Sequence, residues 1–156
     1  MDVRIRQAMV DDLVGLEAMR APDEDAGPAD PRMARYLLGE HHPQFALAER
    51  VVLIAESEGK AVGYTGGHRT TRHDCEGELQ YLYVVPTHRR SGVAGRMVGA
   101  LARWFEGHGI RRVCVDVDPD NERARAFYSA HGAGELNSHW MVWQDLPASL
   151  GERPPP

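Results

Sequence analysis

The chain has 156 residues, 42% hydrophobic and 26% charged, with 18 basic against 23 acidic side chains for a formal net charge of −5. That length and apolar content fit one domain with its own core, and the negative balance excludes a general affinity for nucleic acid or anionic membranes. Two cysteines, Cys75 and Cys114, cannot frame a disulfide-rich fold. No apolar run follows a basic start and nowhere do about 18 apolar residues stand together, so neither a leader nor a membrane span is expected, and a cytoplasmic setting is.

Val3 and Ile5 alternate with Arg4 and Arg6, which predicts a strand with one buried face, suited to a sheet edge. Asp11 or Asp12 can cap a helix carrying Leu13, Leu16 and Met19 on one side. Residues 21–31, rich in proline and acid, read as a loop, and a short helix follows around residues 33–40. The run VVLIAESEGKAVGYTGGH is two apolar stretches about a Ser-Glu-Gly-Lys turn, the signature of a hairpin. ELQYLYVVP predicts a central strand closed by Pro86. Val93, Met97, Leu101 and Phe105 line one face of a helix ending near Gly107 and Gly109. RRVCVDVDP is a further strand, with Val113, Val115 and Val117 on one side and Cys114, Asp116 and Asp118 on the other. A helix over residues 121–131 stops at Gly132, and NSHWMVWQDL reads as a closing strand. The order, βααβββαβαβ, predicts an α/β fold: one mixed central sheet with helices on both faces, in a single domain over residues 1–150 with a flexible Pro-rich tail over 151–156.

Residues 88–97, HRRSGVAGRM, join the central strand to the long helix through a turn of small residues. Such a turn aims backbone N–H groups and the positive end of the helix dipole at one point, which suits an anion. Gly92, Ala94 and Gly95 let the backbone approach, and Arg89, Arg90 and Arg96 match phosphate oxygens, so the expected ligand carries a diphosphate. A P-loop is excluded because Gly95 is followed by Arg96 and Met97 rather than Lys and Ser/Thr. A dinucleotide fingerprint fits poorly, since PTHRR separates strand from glycines and three strands already precede the turn.

Arg89-x-x-Gly92-x-Ala94, preceded by LYVVPTHR and followed by NERARAFYSAHG with Asn121, Ala124 and Tyr128, resembles the GNAT superfamily of acetyl-CoA-dependent N-acetyltransferases. The likeness is strongest over residues 78–132, and Ala133 departs from it where a phenylalanine commonly follows the glycine. The resemblance implies acetyl-CoA as co-substrate. Its pantetheine arm would run along Leu82, Tyr83 and Val84 where a bulge splays this strand from the next, with an N–H near Val84 polarising the thioester carbonyl. Its pyrophosphate would lie on residues 89–96, that is Arg89, Arg90, Ser91, Gly92, Val93, Ala94, Gly95 and Arg96. Asn121 matches a cofactor contact and equally an ordinary helix N-cap.

Direct attack of an amine in a ternary complex makes two demands. A protonated amine must lose a proton, and the departing thiolate must gain one. The resemblance implies Tyr128 as general acid, where the residues alone suggest a packed tyrosine. Glu78 and Asp116 are the two candidate bases, Glu78 slightly preferred; their bland alternatives are solvation at a strand end and a salt bridge. The acceptor is expected to be a small primary amine, with a peptide or protein acceptor, or a non-catalytic acyl-CoA sensor, as alternatives. Similar proteins often wall the acceptor site with the region carrying Asp23, Glu24, Asp25 and Asp30 here, which would draw a cationic amine. No metal is expected at His41 and His42, or at His68, His73, Asp74 and Cys75, for want of ligand spacing. Trp140 and Trp143 suit a pocket, a homodimer contact or core cover alike.

Overall fold

A computed structural model describes residues 2–23 and 32–151; Glu24, Asp25 and Asp30, and the Pro-rich tail, lie outside the described residues. Seven strands make one sheet: β1 (Val3–Gln7), β2 (Ala46–Ser57), β3 (Lys60–Thr70), β4 (Gly77–Val84), β5 (Val113–Asp116), β6 (Gly134–Glu135) and β7 (Trp140–Trp143), in the order β1-β2-β3-β4-β5-β7-β6. All neighbours are antiparallel except β4 and β5. The mixed sheet, the edge position of β1 and the central position of β4 are as the sequence predicts.

The hairpin closes through Glu58 and Gly59, both left-handed at φ +52 and +78. Two such residues form the turn whose twist matches that of the paired strands, which seats Ser57 opposite Lys60.

Helices α1 (Leu13–Arg20) and α2 (Met33–Leu37) cover one face, where Leu16, Met33 and Tyr36 pack on Val52, Ile54, Tyr81 and Tyr83. Helices α3 (Val93–Gly107), α4 (Glu122–Ala130) and α5 (Leu146–Gly151) cover the other, where Val98, Leu101, Phe105, Tyr128 and Leu146 meet Val51, Leu53, Val113 and Val115. The predicted face of α3 is its buried face, and each such side chain contributes about 1.5–3 kcal/mol by leaving water. Glycines make room for it: a Cβ on Gly67 or Gly77 would come within 2.8 or 2.7 Å of the Phe105 ring.

Two expectations need correction, and two features go beyond what the sequence predicts. Asp12 does not cap α1 with its side chain; its carboxylate accepts from Met9 N–H at 2.7 Å and pairs with Arg6 at 2.8 Å, so it closes the 3-10 turn before the helix. The strand from NSHWMVWQDL is present as β7, and a two-residue strand, β6, pairs beyond it. The segment after it turns helical as α5, where Asp145 Oδ1 accepts from Ala148 N–H at 3.1 Å. The cysteines, distant in sequence, meet in one small cluster with Val142 and are both free.

Candidate active site

The turn before α3 is built as an anion-binding turn would be. After a 3-10 turn over Pro86–His88, Arg90 and Gly92 both adopt left-handed backbone, φ +60 and +85, and Gly92 stands at the helix N-cap with no side chain capping the helix. The first amides of α3 are thus left for an external acceptor. Gly92 is favoured by its φ, since a Cβ there would meet open space, whereas at Gly95 a Cβ would fall 2.9 Å from His131 Nε2 and the imidazole would have to shift. Ser91 is held by its hydroxyl, which donates to the His88 carbonyl. Val93 turns its side chain into the core beside Met97 and Val84, with Ala94 packed against them, and offers the site only backbone.

The arginines divide. Arg90 is exposed, while Arg96 donates to the Val3 carbonyl at 2.7 Å. Arg89 donates from Nε to the Val84 carbonyl at 2.9 Å and from Nη2 to Asp23 at 2.6 Å, where the Tyr83 hydroxyl also donates at 2.8 Å. Burial first, and then Asp23, push the Tyr83 phenol up to about 12. Asp23 is therefore a buried tie between the N-terminal segment and this turn, its carboxylate engaged by Arg89 and Tyr83.

Beyond the turn, β4 and β5 part. Only three pairs join them, ending at Leu79↔Val115, and β4 carries an extra residue, Gln80, between the pairs Gly67↔Leu79 and Gly66↔Tyr81. The bulge thus lies four residues before Val84. Val85 N–H donates to the Val62 carbonyl at 2.9 Å, flanking the pair Gly63↔Val84. In an antiparallel ladder that makes the pair a non-hydrogen-bonded one, and both backbone groups of Val84 turn away from β3 into the gap. Leu82 has the same parity; Tyr83 spends its backbone on β3 and its side chain on Asp23.

Glu78 and Asp116, far apart in sequence, line one cavity of about 410 Å³ together with Gln80, Arg72, His41, His42 and Trp140. Glu78 is buried, and Arg72 donates to its Oε1 at 3.2 Å from a guanidinium stacked 4.6 Å over the Trp140 ring. Asp116 is not enclosed among valines: it ends β5, is exposed at the cavity, and is raised above the usual carboxylate range, chiefly by desolvation. Gln80 Oε1 is buried without a hydrogen-bond partner among the described residues. Trp140 is thus pocket lining, while Trp143 is core, its indole donating to the His131 carbonyl at 2.9 Å.

Tyr128 lies on the opposite face of the sheet, edge-on to Phe127 and Trp143, and burial raises its phenol above the ordinary value, which keeps it protonated. Asn121 caps α4, its Oδ1 accepting from Ala124 N–H at 3.1 Å. Sequence reasoning missed Arg72 and Tyr36 and took His68 only as a rejected metal ligand. The signal for His68 was an imidazole inside the apolar strand TGGHRT; nothing in RTTRHDC marks Arg72. Among the described residues no three His, Cys, Asp or Glu side chains gather as a metal site, and no helix is long and apolar enough to cross a membrane.

The sequence profile of the acetyltransferase (GNAT) family matches residues 16–133. This chain therefore belongs to that family, whose co-substrate is acetyl-CoA. The aminoglycoside N(6')-acetyltransferase type 1 of Salmonella typhimurium is 30% identical over 90 residues, a match spanning 61% of that enzyme and 53% of this chain. The chain thus spans about three fifths of the length of that curated relative. Two solved structures share the fold. One is the PaiA N-acetyltransferase of Thermoplasma acidophilum in complex with coenzyme A, with a TM-score of 0.67, 17% identity and coverage of 91% of this chain and 98% of that one. The other is AAC(6')-Iy in complex with the bisubstrate analogue CoA-S-monomethyl-acetylneamine, with a TM-score of 0.70, 23% identity and coverage of 88% and 94%.

Proposed function

We propose that this protein transfers the acetyl group of acetyl-CoA to a primary amine of a small molecule by direct attack in a ternary complex, in a cytoplasmic setting. One observation carries the reading: the edge of β4 lies open from Gln80 onward, with Glu78 and Asp116 together in the cavity beside it. In it, Leu82 and Val84 pair with the pantetheine arm and Val84 N–H polarises the thioester carbonyl. The amides of residues 92–95, with Arg90, hold the diphosphate. Glu78 takes the ammonium proton, the amine attacks the carbonyl, and as the C–S bond breaks Tyr128 protonates the thiolate. Asp116 shares the cavity and adds negative charge toward an approaching cation.

The 30% identity to an aminoglycoside acetyltransferase supports a polyamine-like acceptor, and the orphaned Gln80 carbonyl supplies an acceptor for one of its N–H or O–H groups. The test is incubation with acetyl-CoA and a panel of aminoglycosides, linear polyamines and peptide N-termini, following free thiol. Thiol release with an aminoglycoside or polyamine is expected. Release with peptides alone moves the acceptor to protein N-termini. Tight coenzyme A binding with no release from any amine makes the protein an acyl-CoA sensor.

A further inference from the structure

Glu78 has a second neighbour, from inside the sheet. His68 on β3 stands opposite Glu78 in the ladder, is fully buried, and directs Nε2 to within 3.7 Å of Glu78 Oε1. Its other nitrogen, Nδ1, is 2.8 Å from the hydroxyl of Tyr36, which is buried just as completely and packs edge-on against the imidazole. Nε2 has no hydrogen-bond partner among the described residues. At 3.7 Å its contact with Glu78 is longer than a hydrogen bond, and closing it would satisfy a buried imidazole nitrogen.

The tautomer follows from charge. If Nδ1–H donated to Tyr36, the lone pair of Nε2 would face the carboxylate and the Tyr36 hydrogen would need another acceptor in a dry core. If Tyr36 donates to Nδ1, the hydrogen sits on Nε2 and points at Glu78. Burial holds the Tyr36 phenol well above its ordinary value, which is consistent with a donor role. Both close contacts of Glu78, from Arg72 and from His68, then fall on Oε1. Oε2 has no such contact among the described residues, and Glu78 lines the cavity.

We infer that His68 is a positioning residue for the reaction, fixed as the Nε2–H tautomer by Tyr36, and that with Arg72 it anchors one oxygen of Glu78 so that the other meets the acceptor amine. No proton passes through His68. This rests on the reading of Glu78 as the base, and the test separates the two.

The experiment is NMR of the whole protein labelled with 15N-histidine, without substrate. Long-range proton–nitrogen correlations identify the tautomer of each neutral ring, and loss of the signal in His68→Gln assigns it. The expected result is the Nε2–H form, with its N–H proton moving upfield in Glu78→Gln, where an amide replaces the carboxylate, and tautomers mixing in Tyr36→Phe. An Nδ1–H tautomer in the wild type, or an N–H resonance indifferent to Glu78→Gln, overturns the inference. With the amine that the panel identifies, His68→Leu should lower kcat about tenfold at unchanged acetyl-CoA KM, the worth of one hydrogen bond to a charged group, and His68→Gln should restore most of it by returning a donor. Equal rates in Leu and Gln variants count against positioning. Full turnover by Glu78→Gln instead removes Glu78 as the base while leaving the NMR result to stand.

Discussion

The turn before α3 and the cavity beside β4 serve one proposed reaction and are built in opposite ways. The turn is local, covering residues 86–96, and its working groups are backbone amides set by one left-handed glycine. The cavity draws Glu78, Asp116, Trp140, Arg72 and His41 from five segments, and its working groups are side-chain charges held by other side chains. A site of amides tolerates changes that respect its φ angles; a site of charges fails when one partner is removed.

The sharpest break in that contrast is Glu78→Gln. It should lower kcat by about 10²–10⁴-fold, the worth of a positioned base, and leave the acetyl-CoA KM alone. A KM effect of similar size would mean that Glu78 shapes the cofactor site as well. Tyr128→Phe comes next, with kcat down about 10²-fold and stability changed by about 1 kcal/mol or less, since the phenol has no hydrogen-bond partner among the described residues to lose. An unchanged kcat and pH profile would make Tyr128 a packing residue. Gly92→Val works on the other region. A β-branched residue at φ +85 is strained by about 1–3 kcal/mol, so the melting-temperature rise produced by coenzyme A should shrink, with affinity about tenfold weaker. Pantetheine, which lacks the diphosphate, should bind the variant and the wild type alike; if both ligands weaken equally, the turn is not where the diphosphate lies.

The smallest effect lies outside both regions and serves as a control. Hydrogen bonds from Arg6 hold Asp12 at about 2 against an ordinary 3.8. Because folding lowers this pKa, its stabilisation is complete above about pH 4 and is lost as pH falls toward 2. Asp12→Asn should cost about 1 kcal/mol near neutrality after allowance for solvent screening, and flatten the acid limb of a melting-temperature profile. Turnover should not move.

The same contrast explains what could be read in the chain. Val93, Met97, Leu101 and Phe105, and the spacing of Arg89, Gly92 and Ala94, lie within a few turns of one another, so periodicity and motif reach them. Leu82 and Val84 were legible as part of the central strand, while the bulge at Gln80 was not, because a strand's own residues do not say where its partner leaves. Asp23 looked like solvated acid since its partners, Tyr83 and Arg89, are remote in sequence. Asp116 looked buried because valines flank it, but the strand ends there. Arg72 and Tyr36 had no signal at all: they matter only through what the fold sets beside them.

The brief seam between β4 and β5 has a further consequence, in the time domain. Helix α3 packs on β1, β2, β3 and β4, while β5 pairs with β7, so the two parts of the sheet are joined in the ladder by three residue pairs alone and otherwise through the shared core beneath α3 and α5. Amide hydrogen exchange should therefore sort into two cooperative units, with the block containing β5, β6 and β7 opening at a lower free energy than the block containing β2 and β3. If the donor pairs with the open edge of β4 as proposed, coenzyme A should add a fastening beside this seam and slow exchange in the smaller block.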